Sequence, residues 1–189
     1  MSFRSVDPFE LDENFMQAIG RDWMLITAAK PDGSINSMTA AWGGIGFIWQ
    51  QPVVFCFIRP QRCTKVFVET SSTFSLTFFD TTYRDMLNFM GSVSGFQDEK
   101  KVTHSGLTLA YRETPVEQSS PPGGRPVEQT PYFSEARLVI LCERLYQQDM
   151  LADCFLDKSQ LLKWYGKAGG ENDLHTLYIA SIKDVLIHE

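Results

Sequence analysis

Several signatures are missing from these 189 residues, and each absence removes a class of protein. Cysteine is scarce. Cys56, Cys63, Cys142 and Cys154 form no Cys-x-x-Cys pair, and His104, His175 and His188 do not stand at zinc-site spacings from them. The thiols read as reduced and mostly buried, as in a cytoplasmic protein. There is no Gly-x-Ser-x-Gly for a hydrolase nucleophile and no His-Glu-x-x-His for a zinc peptidase. Gly44-Ile45-Gly46 runs on into Phe47-Ile48-Trp49, so the dinucleotide fingerprint Gly-x-Gly-x-x-Gly is absent as well. The net charge is −6 with no lysine and arginine stripe, which argues against nucleic acid as a partner. No run of about 18 apolar residues marks a membrane span. Met1 to Gly20 is acidic and broken by Pro8, unlike a secretory leader. Repeats and low-complexity tracts are also lacking.

What is present is an ordinary globular composition, 43% hydrophobic and 21% charged, at a length that suits one domain spanning 1–189. Aromatic residues are numerous, with 14 Phe, 6 Tyr and 4 Trp, which serves a core and also suits a protein that stacks a flat ligand. Ser5 to Gly20 reads as a lead-in and a short helix, capped by Asp12 and ended by Gly20. Trp23–Ala29 and Ser34–Trp42 flank Lys30-Pro31-Asp32-Gly33, a strong turn, so 23–42 is expected to form a β-hairpin. Gly43 to Gly46 reads as a flexible link. Val53–Ile58 is a buried strand, Thr64–Thr70 a short helix, and Thr73–Phe79 a strand in which Phe74, Leu76 and Phe78 alternate with Thr73, Ser75 and Thr77. Tyr83–Met90 looks helical and stops at Gly91. The proline- and glycine-rich 114–131 reads as a surface excursion or a loop covering a neighbouring subunit. Glu135–Gln147 and Leu177–Ile187 complete the strands. The pattern is mostly β with helical insertions, a barrel rather than a βαβ series.

Three constellations carry candidate chemistry. Asn36-Ser37-Met38-Thr39-Ala40-Ala41-Trp42 lies on the second strand and at its end, where amide, hydroxyl and small side chains suit a flat polar ring and Trp42 can wall it. The same residues also read as a polar strand face beside a core tryptophan. Arg59-Pro60-Gln61-Arg62-Cys63-Thr64 follows the buried strand and opens a helix. Two arginines and a hydroxyl next to free helix N–H groups suit one phosphate, although a solvated basic loop has the same composition. In Gly91 to Lys101, Ser94-Gly95 is a turn, Asp98 and Glu99 suit a helix start, and Lys100 can point back toward a charged or electron-rich ligand. An ordinary turn before a helix looks alike.

In their order and spacing these motifs resemble the flavin reductase-like family, and within it the flavoredoxin-like proteins. The likeness lies in Asn36-Ser37-Met38-Thr39 ending at Trp42-Gly43, in Arg59-Pro60-Gln61-Arg62-Cys63-Thr64, in Ser94-Gly95 with Lys100, and in His175 before the last strand; it runs from about Phe15 to Ile187. It implies an FMN-binding split β-barrel of Greek-key type, usually a homodimer with the flavin near the subunit interface. By that resemblance Asn36, Ser37, Met38, Thr39, Ala41 and Trp42 border the flavin ring. Arg59, Arg62, Cys63 and Thr64 hold the phosphate, Ser94, Gly95 and Lys100 stand near the ring or its substrate face, and Tyr165 and His175 are at the pocket rim. The chain departs from the family at Phe96-Gln97, where Arg-Asp is frequent, so the second-substrate side is open.

With no amino-acid nucleophile assembled, the resemblance implies an FMN-dependent oxidoreductase drawing on NADH or NADPH, the nicotinamide stacking on flavin in one shared cleft. Two other readings stand beside it. One is a flavoredoxin-type electron-transfer protein with tightly held FMN and a redox partner protein. The other is a non-catalytic split-barrel module for a flavin or a haem.

Overall fold

A computed structural model of the chain describes residues 2–116, 127–166 and 173–189. Its main sheet is antiparallel, in the order β3-β2-β6-β9-β10-β5-β4, with β1 added to the end of β10. The strands are β1 (Phe3–Val6), β2 (Met24–Ala29), β3 (Ile35–Ala40), β4 (Gly43–Ile48), β5 (Gln51–Ile58), β6 (Thr73–Phe78), β7 (Leu109–Pro115), β8 (Val127–Phe133), β9 (Leu138–Asp149) and β10 (Thr176–His188). Between them lie α1 (Phe15–Gln17), α2 (Cys63–Thr70), α3 (Arg84–Ser92), α4 (Lys101–His104) and α5 (Lys158–Tyr165). The expected hairpin forms around Lys30–Gly33, with Met24 opposite Ala40 and Ala29 opposite Ile35. Non-sequential neighbours β2–β6, β6–β9 and β5–β10 give the split-barrel arrangement.

The sheet curls around one apolar core drawn from six of its strands. Met24 and Ile26, Met38, Val54 and Ile58, Phe74 and Leu76, Ile140, and Tyr178 all belong to it, and Phe67 and Val68 of α2 close it. A second core lies on the outer face, where Leu87 and Met90 of α3 and Phe133 of β8 cover Leu25, Val139 and Leu141. This second layer explains β6. Its alternation is real, but the hydroxyl-bearing face is buried too: Thr130 Oγ1 bonds Thr73 Oγ1 at 2.8 Å and Ser75 donates to Pro131 O at 2.6 Å.

Several expectations need correction. Asn14, not Asp12, caps α1, and the chain passes through Gly20 in a π-helical turn over Ala18–Asp22. Gly43 to Gly46 is not a link but most of β4, paired with β5 from Gly43↔Cys56 to Ile48↔Gln51. A Cβ on Gly43 would sit 2.5 Å from Phe55 O, and one on Gly46 would sit 2.9 Å from the Phe55 ring, so the glycines allow a close approach. Gly91 lies inside α3 rather than ending it. The flanks of 114–131 are strand, pairing Thr114 with Glu128 and Pro115 with Val127 in the β7–β8 hairpin; 117–126 falls outside the described residues. That hairpin is latched to the main sheet by Glu128, whose carboxylate accepts from Ser71 Oγ, Thr73 Oγ1 and the Thr73 N–H at 3.0–3.2 Å.

Candidate functional site

Among the described residues β3 pairs on one side only, with β2, and its other edge borders a cleft of about 390 Å³. Alternation along β3 points Met38 and Ala40 into the barrel core and Ser37 and Thr39 to the outer layer. Ser37 Oγ bonds Thr27 Oγ1 at 2.9 Å, and Thr39 Oγ1 donates to Leu87 O at 2.5 Å, fixing α3 against the strand. Leu87, Asn88, Gly91 and Ser92 of α3 form the opposite wall.

At one end of the cleft stand two arginines from the turn after β5. Arg62 occupies the N-cap of α2 without capping it, and its Nη1 donates to Gly91 O at 2.6 Å. Burial, then the charge of Arg59, lowers its pKa. Arg59 is already engaged: it pairs with Asp173, donates to Trp164 O at 3.1 Å, and lies 5.3 Å from the Tyr165 ring centre. Trp42 and His175 wall the same end, their ring centres 4.7 Å apart, and Trp164 meets Trp42 edge-on at 5.1 Å. Tyr165 Oη and His175 Nδ1 share a 2.7 Å hydrogen bond. Burial, reinforced by Arg59, pulls the imidazole down to about 4, so it is neutral at pH 7.

Of the residues singled out in the sequence, Met38, Thr39, Ala41, Trp42, Arg59, Arg62 and His175 converge on this cleft. Asn36, Cys63, Thr64, Ser94 and Gly95 stand behind it as a brace. Asn36, only 5% exposed, donates to Cys63 Sγ at 3.1 Å and accepts from Thr64 Oγ1 at 3.2 Å, joining β3 to α2. Gly95 packs against that amide so closely that a Cβ would lie 2.9 Å from Asn36 Cγ. Ser94 O accepts the N–H groups of Gln97 and Asp98, closing the turn as expected. Ser37 belongs to the outer layer. Tyr165 lines a neighbouring apolar cavity of about 420 Å³ that shares Ala41, Trp42 and Phe57 with the cleft.

Lys100 is exposed and is not among the cleft's lining residues. The buried cation of this turn is Lys101, 3% exposed, which also lies off the cleft's lining but close enough to Arg62 and Cys63 to feel their charge; burial and then the charge of Arg62 push it down to about 8. The difference is one residue in a turn: Asp98 accepts the Lys100 N–H and starts α4 at Lys101, which turns the next side chain inward. Trp23, Leu87 and Asn88 belong to none of the three constellations, and Lys101 stands at the end of the third with no role assigned to it; Tyr83–Met90 reads only as a helix.

No family model matches the sequence, and no curated protein matches it either. Solved structures do. The chain is similar to an FMN-binding domain of a flavin reductases-like enzyme from Shewanella baltica at TM-score 0.61 and 16% identity, over 98% of this chain and 77% of that one. It is similar to flavoredoxin of Desulfovibrio vulgaris (Miyazaki F) at TM-score 0.59 and 23% identity, over 88% and 69%. A third is an FMN-binding protein from Thermus thermophilus with bound p-hydroxybenzaldehyde, at TM-score 0.56 and 17% identity over 100% and 82%. The chain therefore has the split-barrel fold found in FMN-binding, flavin reductase-like proteins.

Proposed function

We propose that the chain binds FMN in the cleft between β3 and α3 and works as an FMN-dependent oxidoreductase of the flavin reductase kind, with NADH or NADPH as donor. The observation that carries this reading is one cavity joining a doubly cationic end, Arg59 and Arg62, to the open strand edge from Met38 to Trp42. Neighbouring guanidinium groups and a buried Lys101 that still carries its charge at pH 7 are an arrangement that a phosphate relieves. Arg62 would hold the phosphate, with Lys101 adding its charge from behind the lining and Arg59 tethered beside it by Asp173. The strand edge would offer backbone N–H and C=O groups to a flat heteroaromatic ring, while Trp42 and His175 wall the arginine end.

When bound, the flavin supplies the hydride and electron chemistry. The chain's own residues bind, orient and exclude water, and neutral His175 offers a hydrogen bond rather than a charge. The FMN-binding neighbours support the cofactor, and the absence of a dinucleotide fingerprint supports a nicotinamide that shares the flavin cleft. Exposed Phe47, Trp49 and Trp164 support a homodimer that covers them. The test is to mix protein, FMN and NADH or NADPH without oxygen. Bleaching of the flavin absorbance at a catalytic rate with one donor is the expected result; no bleaching with either overturns the donor assignment.

A further inference from the structure

Trp23 adopts φ 73° and ψ 164°, a backbone conformation that glycine alone adopts freely. It is held there from three sides. The π-helical turn Ala18–Asp22 delivers the chain to it, and Met24, the next residue, is pinned between Ala40 and Phe78. The Arg84 guanidinium stands 4.1 Å from the indole centre while its Nη2 donates to Arg21 O at 2.6 Å. Trp23 also packs against the outer core, but non-glycine residues held in such a conformation cluster at functional sites. Trp23 lines the cleft.

Its position relative to the cations gives the role. Arg84, which grips Trp23, opens α3, and Gly91, which accepts Arg62, lies seven residues further along the same helix, about 10 Å away. One helix therefore sets the spacing between an aromatic end and a cationic end of the cleft. Resting on the FMN reading above, we propose that Trp23 is a cofactor-binding residue, an indole carried on a strained backbone that packs against the cofactor's ring end while Arg62 grips its phosphate.

The test titrates the full-length wild type, Trp23→Ala, Trp23→Gly and Trp23→Phe with FMN and with riboflavin, and records melting of each without ligand. Trp23→Ala and Trp23→Gly are expected to weaken FMN and riboflavin by the same factor, about tenfold, because the ring and not the phosphate has lost a contact. Trp23→Phe is expected to stay within about threefold of wild type. Trp23→Gly is expected to melt above Trp23→Ala, since both lack the indole and only glycine relaxes in this conformation. If Trp23→Ala does not fold, the glycine variant carries the binding test. Wild-type affinity for both ligands in the glycine variant, or an alanine variant melting as high as the glycine variant, overturns the inference while FMN binding by the wild type stands. A wild type that binds no FMN overturns the FMN reading and this inference with it.

Discussion

Tyr165 Oη and His175 Nδ1, 2.7 Å apart and both buried, tie the end of α5 to the entry of β10 at the wall of the cleft. Because the imidazole is pulled down to about 4 from an ordinary 6.5, it enters the fold neutral. Between those values the unfolded chain takes up a proton that the folded chain does not. Stability of the FMN-free protein should fall as pH drops from 6.5 to 4, by up to about 3 kcal/mol, with no contribution from this group above 6.5. His175→Gln should flatten that limb in urea unfolding at stepped pH. An unchanged limb would place the acid sensitivity elsewhere.

The two arginines should separate by phenotype. Arg59 neutralises buried Asp173 and holds Trp164 O, so Arg59→Ala should cost about 1–3 kcal/mol of stability. Arg62 makes one backbone bond and otherwise faces the cleft, so Arg62→Ala should mainly weaken FMN, by about 10–100-fold, and reduce the salt dependence of binding. Calorimetric melting and FMN titration at two salt concentrations check both.

Lys101 should trade stability for binding. Its charge is buried at a cost below about pH 8, and the cost fades as pH rises through its ordinary 10.5, above which the residue is neutral in both states. Lys101→Met should therefore stabilise the FMN-free protein at pH 7 by about 1–3 kcal/mol and weaken FMN, whereas Lys100→Met should alter neither appreciably. Thermal melts and FMN titration of the two variants measure this.

Gly95→Ala should unsettle the brace behind the cleft. The new methyl would overlap Asn36 and lie 3.1 Å from Cys63 Sγ, pushing apart the bond between β3 and α2. A loss of about 1–3 kcal/mol is expected, read by urea unfolding, with weaker FMN binding as a consequence.

The sequence was legible where local chemistry decides structure. Lys30–Gly33 announces its hairpin because proline and glycine preset the turn, and Val53–Ile58 reads as a buried strand because nothing polar interrupts it. It was illegible where a partner far along the chain decides. β1 is four residues that become a strand only against Val185–His188, and the glycines of β4 look like a link until Phe55 is seen pressing on them. The site divided likewise. Arg62, Trp42 and His175 were reached through motif order, and the structure brings them together. Asn36 and Thr64 have the right chemistry for a ligand but spend it on each other, which a one-dimensional pattern does not reveal. The shift from Lys100 to Lys101 depends on where a turn ends, and Trp23 depends on a backbone angle.

The central claim is a phosphate gripped at the end of an aromatic-walled cleft, and titration of one protein with FMN and with riboflavin, which lacks only the phosphate, tests it most directly. FMN should bind about 100-fold more tightly than riboflavin at low salt, and that advantage should disappear in Arg62→Ala combined with Lys101→Met. Equal affinity for the two ligands, or an advantage that survives both substitutions, would contradict the account.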